Sequence, residues 1–161
     1  MSLKKILGFI QEIGTIMYVG GILSHIVIGN ILGHSENVGT IYDVYVYKEM
    51  SAYILILPGL ALKIISDLVL YYNYQVKPNW LKLKLLMTAI LAVNAFVFLV
   101  PMMSELVELA KESIPTGKIS QAFLDKEHTE QLVGMSNIIP LLSELILGSF
   151  KPKFGKEIKA Q

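Results

Sequence analysis

The segment from Trp80 to Pro101, with the sequence WLKLKLLMTAILAVNAFVFLVP, decides the fold class of this chain. Between Leu85 and Val100 it carries no charge, and Thr88 and Asn94 are its polar side chains. A helix rises about 1.5 Å per residue, so about 20 residues cross the roughly 30 Å hydrocarbon core of a bilayer. The segment therefore predicts a transmembrane helix.

Three other segments have the same character. The chain has 161 residues, of which 53% are hydrophobic, and its mean hydropathy of +0.56 is too high for an ordinary soluble domain. We therefore expect an all-α, four-transmembrane-helix bundle in a single membrane domain over residues 1–150, followed by a basic tail. The predicted spans are about 6–32, 51–72, 80–101 and 130–150, and the tail is 151–161.

Composition excludes several classes of function. All 14 basic residues are lysine and the net charge is +1, so nothing indicates a nucleic-acid partner. The chain has no cysteine, which excludes disulfides, thiolate metal sites and a cysteine nucleophile. No nucleophile elbow, Walker loop, dinucleotide fingerprint or zincin motif is present.

Lysine distribution predicts the orientation of the bundle. The flanks on one side are basic and the two loops on the other side are acidic, which places both termini in the cytoplasm by the positive-inside rule. We therefore expect a multi-pass protein of the bacterial cytoplasmic membrane. The basic flanks contain Lys4, Lys5, Lys77, Lys82, Lys84, Lys151, Lys153, Lys156 and Lys159.

Local signals add detail to this outline. Glycines in the first span predict close packing at the centre of the bundle, and Pro58 and Pro140 predict kinks. The tyrosines of segment 40–50 favour an aromatic belt at the membrane interface. Helical periodicity continues past Pro101, so we expect the third and fourth helices to extend beyond the outer membrane face, with Ser120 as the N-cap of the fourth.

Charged residues inside the spans form the first candidate site, because a charge in the bilayer interior costs at least about 2.5–3.5 kcal/mol unless it is paired or hydrated. One interpretation pairs Lys63 with Asp67 one turn along the second span, while Lys84 and Glu12 reach the inner surface. The other makes these residues a proton path or an anionic-ligand site. The predicted polar membrane cluster is Glu12, Lys63, Asp67 and Glu144.

Histidines form the second candidate site, because imidazole is a common axial ligand of haem. His25 lies within the first span, His34 beyond its outer end and His128 near the outer start of the fourth helix. His34 is level with His128, and His25 with Met135 is another conceivable pair. The alternative for His25 is an interior histidine hydrogen-bonded to Ser24 or to a carbonyl group.

Acidic residues on the extended third helix form a third candidate site. Glu105, Glu108 and Glu112 recur on one face and, with His128, predict an oxygen-rich metal site. The alternative is a solvated acidic face.

Three stretches carry a family resemblance: IGTIMYVGGIL at 13–23, LPGLALKIISDLVL at 57–70, and above all WLKLKL at 80–85. They resemble a group of small bacterial membrane proteins that includes the HemJ-type protoporphyrinogen oxidases, the copper-resistance D-like proteins and uncharacterised relatives. The resemblance implies a b-type haem held by histidine and electron transfer to quinone, with Lys84 as the ionisable residue carried over. Ile10 and Gln11 stand where the family has a first-span histidine, so protoporphyrinogen oxidation is not carried over.

Two functions follow as hypotheses. The first is a redox protein that binds haem b near the quinone pool, in which case it is an oxidoreductase. The second is a non-enzymatic membrane subunit or small transporter that uses the buried lysines and acids. A structural anchor for another subunit is a third possibility, and a homo-oligomer is compatible with each.

Overall fold

A computed structural model describes residues 3–75 and 77–153, except for the side chain of Lys4. These residues form four long helices, and the all-α prediction is confirmed. Each helix is long and apolar enough to cross a membrane. Helix α1 spans Leu3–Leu32, α2 spans Val38–Asn73, α3 spans Asn79–Thr116 and α4 spans Gln121–Phe150. Most of the predicted basic tail, residues 154–161, lies outside the described residues.

Short turns at 33–37 and 117–120 join α1 to α2 and α3 to α4, and α3 begins at Asn79, six positions after α2 ends at Asn73, so that neighbours along the chain run antiparallel. Two ends of the bundle can therefore be named. The terminal end contains Leu3, Asn73, Asn79 and Phe150. The loop end contains residues 33–50 and 102–131.

Helix α2 begins earlier than the predicted second span. Asn37 caps it, since its Oδ1 accepts a hydrogen bond of 2.8 Å from the Gly39 amide, and the helix then runs without interruption through the tyrosine-rich segment. Helix α2 is therefore longer than its predicted span, as are α3 and α4, and all three reach the loop end of the bundle. Tyr45 is 2% exposed and packs edge-to-face on Phe123, so it does not belong to an aromatic belt.

Prolines change the hydrogen bonding of three helices. Wide π-helical turns cover Ala52–Ile56 in α2 and Asn94–Leu99 in α3. Each ends just before a proline, Pro58 or Pro101, because proline has no amide hydrogen to continue the ladder. Helix α4 is interrupted at Asn137, near the predicted kink at Pro140. Ser120 caps α4 as predicted, by accepting a hydrogen bond of 3.2 Å from the Phe123 amide.

Helix α1 packs closely on α2 through glycines. A Cβ atom on Gly14 would lie 2.7 Å from the Gly59 carbonyl oxygen, and one on Gly59 would lie 2.6 Å from the Tyr18 amide nitrogen. The prediction that α1 lies at the centre of the bundle is wrong, however. Only 11% of its most apolar window is buried, against 22–28% in the other three helices. The glycines bring one face close to α2 and leave the opposite face exposed.

The core consists of apolar layers separated by polar ones. Trp80, Leu81 and Leu147 form the layer at the terminal end. Tyr18, Leu60, Leu91 and Ala95 form the middle layer. At the loop end, α2, α3 and α4 enclose a third layer made of Ile41, Val44, Tyr45, Met103, Leu106, Ala110 and Phe123.

Candidate functional site

Four charged side chains meet inside the bundle, and we call them the charge cluster: Lys63, Asp67, Lys84 and Glu144. Lys63 Nζ lies 2.7 Å from Glu144 Oε2, and Lys84 Nζ lies 2.7 Å from Asp67 Oδ1. Lys84 Nζ also lies 3.6 Å from Glu144 Oε1, which joins the two pairs. The four side chains are at most 3% exposed. The cluster is therefore closed to water, and with all four groups ionised it is electrically neutral.

Helical periodicity places these residues in the interior. Lys63 and Asp67 are four residues apart on α2 and so share one face. On α3, Lys84 belongs to a buried stripe with Leu81 and Thr88. Glu144 occupies the equivalent position on α4, between buried Pro140 and Leu147. Each helix buries its charged residue on the same stripe as its apolar residues.

Helix α1 supplies two polar side chains to the cluster. Gln11 Nε2 donates a hydrogen bond of 2.7 Å to Asp67 Oδ1, and Lys63 Nζ donates one of 3.1 Å to Thr15 Oγ1. Neither Gln11 nor Thr15 was predicted to belong to the cluster. The signal was their four-residue spacing on a helix whose other inward positions are apolar or glycine.

Two carboxylate oxygens in the cluster lack a hydrogen bond. Asp67 Oδ2 and Glu144 Oε2 are buried without a hydrogen-bond partner, so Glu144 Oε2 meets Lys63 as an ion pair that lacks hydrogen-bond geometry. A buried carboxylate without its full set of donors is costly, since the low dielectric of the interior does not replace the lost water. Each of these two oxygens can therefore still accept a proton or a hydrogen bond.

Three of the four predicted cluster residues meet in the structure, and Glu12 does not. Lys63, Asp67 and Glu144 are brought together, and Lys84 joins them. Glu12 is exposed, because it lies about 100° around the helix from Gln11, which takes the inward position. The pairing expected between Lys63 and Asp67 is replaced by ion pairs from each residue to a different helix.

A second polar layer lies toward the loop end. Lys48 Nζ lies 3.2 Å from Glu130 Oε2, and the Tyr45 hydroxyl donates a hydrogen bond of 2.7 Å to Glu127 Oε1. Like Lys63 and Glu144, these pairs join α2 to α4. Lys48 was not predicted as a site residue, although Ile41, Val44, Tyr45 and Lys48 have the spacing of one helical face.

The histidines do not converge. His25 Nε2 is hydrogen-bonded to Ser51 Oγ of α2, whereas Ser24, its expected partner, donates to the Gly21 carbonyl. His34 and His128 are exposed. The level pairing expected between them does not bring both to one cavity, since His34 lines the cavity described below and His128 is absent from its wall.

The acidic face of α3 does not form the expected metal site. Glu105, Glu108 and Glu112 are exposed, and Glu105 Oε2 pairs with Lys126 Nζ at 2.7 Å. Across residues 3–75 and 77–153, no three His, Asp or Glu side chains are arranged to hold a metal ion. The three side chains point outward from α3, and Lys126 of α4 neutralises Glu105 in place of a metal ion.

A cavity of about 460 Å³ adjoins the charge cluster. Tyr18 is part of its wall, and Lys63 Nζ lies 5.8 Å from the centre of the Tyr18 ring. The wall near Tyr18 is apolar and includes Ile22, Ile56, Leu57, Ala95 and Leu141. The wall nearer the loop end is polar and includes His25, Asn30, Lys48, Glu127, Glu130 and Gln131.

Two more of the predicted cofactor ligands can be placed relative to this cavity. Met135 lines it and is 57% exposed. Lys84, the residue that the family resemblance carries over, is held by Asp67 and does not line it. Comparisons of the chain with protein-family models, with curated proteins and with solved structures gave no match. The family resemblance therefore stays a prediction.

Proposed function

We propose that this chain is a multi-pass protein of the bacterial cytoplasmic membrane with both termini in the cytoplasm, and that the charge cluster is the core of a small proton-coupled transporter. Four apolar helices support the membrane location. The basic residues of the terminal end, such as Lys5, Lys77 and Lys151, support the orientation.

One observation carries the transport proposal: two lysines and two acids from three helices are buried together in an apolar bundle. In lipid, ionisable side chains facing a bundle interior are expensive and mark ion or proton pathways. An apolar set of similar volume would hold the helices together at least as well. The cost of the cluster therefore favours a role beyond helix packing.

The cluster is suited to exchange a proton. Glu144 lies between two lysines, with one oxygen 2.7 Å from Lys63 and the other 3.6 Å from Lys84. Protonation of Glu144 leaves Lys63 without an acidic partner, whereas Lys84 retains Asp67. The cavity adjoins the charge cluster at Tyr18. Toward the terminal end, Trp80, Leu81 and Leu147 cover the cluster. We infer access from the loop end and closure at the other.

Proton flux into proteoliposomes tests the proposal. With a trapped pH dye and a potassium diffusion potential, the wild-type protein should acidify the lumen faster than empty vesicles. Glu144→Gln should abolish this flux, and Glu12→Gln, which neutralises an exposed acid, should leave it unchanged. The double variant Lys63→Met/Glu144→Gln separates transport from packing, because it removes one ion pair whole. A folded double variant with wild-type flux would overturn the proposal.

A second candidate function, haem binding, is favoured by one observation: His25 and Met135 line the same cavity. His25 contacts Ser51 of α2. Helices α2 and α4 run parallel, and side chains of α2 pair with residues of α4 that lie 82 positions later in the chain. Met135 lies 84 positions after Ser51 and is therefore within about one turn of the level of His25. His34, His128 and Lys84 do not fit this arrangement. When bound there, haem b would supply one-electron chemistry, with quinone as its partner.

Visible spectroscopy decides this second candidate. The protein is purified in mild detergent after expression with haem supplied, and a reduced-minus-oxidised spectrum is recorded. A sharp α-band that is lost in both His25→Ala and Met135→Ala supports haem at this pair. A featureless spectrum at stoichiometric protein removes it. The third possibility, an anchor for another membrane subunit, would be indicated by co-purification of that subunit together with an absence of flux.

A further inference from the structure

The cavity has the volume and composition of a ligand site. Its volume of about 460 Å³ falls in the range of about 300–1,000 Å³ that small-molecule sites occupy. Such sites combine mainly apolar walls with a few placed polar groups, and the cavity has this division along its length. It lies between α1 and α4, with α2 and α3 behind it.

The cavity opens to the side of the bundle. Lining residues from both rim helices are exposed: Ile26 of α1 by 53%, and Met135 and Ile138 of α4 by 57% and 53%. A ligand can therefore enter laterally, between α1 and α4, without crossing the charge cluster. If these helices span a membrane, this entrance faces the lipid and selects lipophilic molecules.

The charges on the wall select the sign of the ligand. The charged lining residues are Lys48, Glu127 and Glu130. Lys48 is compensated by Glu130 at 3.2 Å, whereas Glu127 accepts a hydrogen bond from the neutral Tyr45 hydroxyl. In the part of the chain that the structure describes, no lysine pairs with Glu127. The wall therefore carries one uncompensated negative charge beside apolar surface.

The charge of the loop end also favours a positively charged ligand. The loop end of the bundle, residues 33–50 and 102–131, contains nine acidic residues and four lysines. A surface with such an imbalance raises the local concentration of cations. The acidic residues are Glu36, Asp43, Glu49, Glu105, Glu108, Glu112, Asp125, Glu127 and Glu130.

We propose that the cavity binds a lipophilic organic cation, with the apolar part of the ligand against Ile22, Ile56 and Leu141 and its charge beside Glu127. The proposal concerns binding and stands whether or not the charge cluster moves protons. If both proposals hold, the organic cation is the substrate and the proton is the ion exchanged for it, since the cavity and the charge cluster adjoin at Tyr18.

Binding of two probes of equal shape and opposite charge tests the sign of the site. Tetraphenylphosphonium and tetraphenylborate are compared by equilibrium dialysis against the purified full chain in one detergent. Because both probes partition into micelles, each variant is measured in the same micelles as its control. We expect saturable binding of the phosphonium and none of the borate.

Two matched pairs of variants locate the site. Glu127→Gln keeps an acceptor for Tyr45 and removes the charge, and it should weaken phosphonium binding about tenfold. Glu108→Gln removes an exposed acid of the same end that does not line the cavity, and it should have little effect. Gly29 lines the cavity and has no atom within 4 Å of an added Cβ, so Gly29→Leu should fill the cavity and abolish binding. Gly20→Leu, where the added Cβ also meets nothing, is its control.

The outcomes are distinct. Equal binding of the two probes, or equal affinity of Glu127→Gln and Glu108→Gln, would overturn the proposal even if proton flux is observed. Binding that follows the predicted pattern with no proton flux, both without and with added tetraphenylphosphonium, would leave the cavity as a cation site and remove the transport role of the charge cluster. A thermal melt of each variant checks that the bundle is folded.

Discussion

Lys63 of α2 and Glu144 of α4 form an ion pair of 2.7 Å across the interior of the bundle. Two other pairs, Tyr45 with Glu127 and Lys48 with Glu130, join the same two helices at a separation of 82 residues, and Lys63 and Glu144 are one residue closer in sequence. Helices α2 and α4 are therefore parallel and are held in register at two levels, about 22 Å apart by helix rise. The cavity extends from Tyr18, beside the first of these levels, to Lys48 and Glu130 at the second.

Removing one member of the Lys63–Glu144 pair should destabilise the protein strongly. Lys63→Met leaves Glu144 buried with one more distant lysine, and loss of one partner of a buried pair typically costs about 3–5 kcal/mol. The double variant Lys63→Met/Glu144→Gln leaves the neutral Lys84–Asp67 pair and should recover most of that loss. Unfolding in mixed micelles compares four proteins: the wild type, Lys63→Met, Glu144→Gln and the double variant. Additive losses in the double variant would contradict the pairing.

Breaking the Lys48–Glu130 pair at the loop end should destabilise the protein less than breaking the Lys63–Glu144 pair. The side chains of Lys48 and Glu130 are 8% and 12% exposed, against 0% and 1% for Lys63 and Glu144. A lysine left unpaired at Lys48 can regain some water, so Glu130→Gln should lower the free energy of unfolding by less than Glu144→Gln does. The same unfolding assay compares the two variants directly. The reverse order would mean that the loop-end layer is the drier one.

Contact between α1 and α2 depends on the absence of a side chain at Gly59. Its added Cβ would meet the Tyr18 amide nitrogen at 2.6 Å and the Gly14 carbonyl oxygen at 2.8 Å, which are backbone atoms and cannot rotate away. Gly59→Ala should therefore separate the helices and lower the melting temperature. Gly20→Ala, in open space on the same pair of helices, should raise stability by up to about 1 kcal/mol through helix propensity. Equal effects of the two substitutions would contradict this close approach.

The sequence predicted the number and type of helices because hydrophobic length is a property of each segment alone. Partners across the bundle were harder to predict, because they depend on helix rotation. Lys63 and Asp67 were expected to pair since they are four residues apart, but side chains that both point inward meet residues of other helices first. Glu12 and Gln11 show the same limit, since a shift of one residue decides which of them faces the cluster.

The helical state of segment 40–50 was also hidden by composition. Three tyrosines suited a membrane interface as well as a core, and only the partner Phe123, far along the chain, decides that Tyr45 is buried. The cavity could not be predicted either, because it arises where α1, held to α2 by its glycines, stays apart from α4. No local pattern encodes that gap.

The proposed orientation can be tested with single cysteines, since the chain contains none. We place one cysteine at exposed Lys118 in the turn between α3 and α4, and one at exposed Lys153 beyond α4. A membrane-impermeant maleimide added to intact cells should label the Lys118→Cys protein and not the Lys153→Cys protein, because the acidic loop end is expected outside and the basic terminal end inside. Permeabilised cells provide the control, in which both proteins should be labelled. Labelling of only Lys153→Cys in intact cells would invert the topology and would place the cavity entrance nearer the cytoplasmic face.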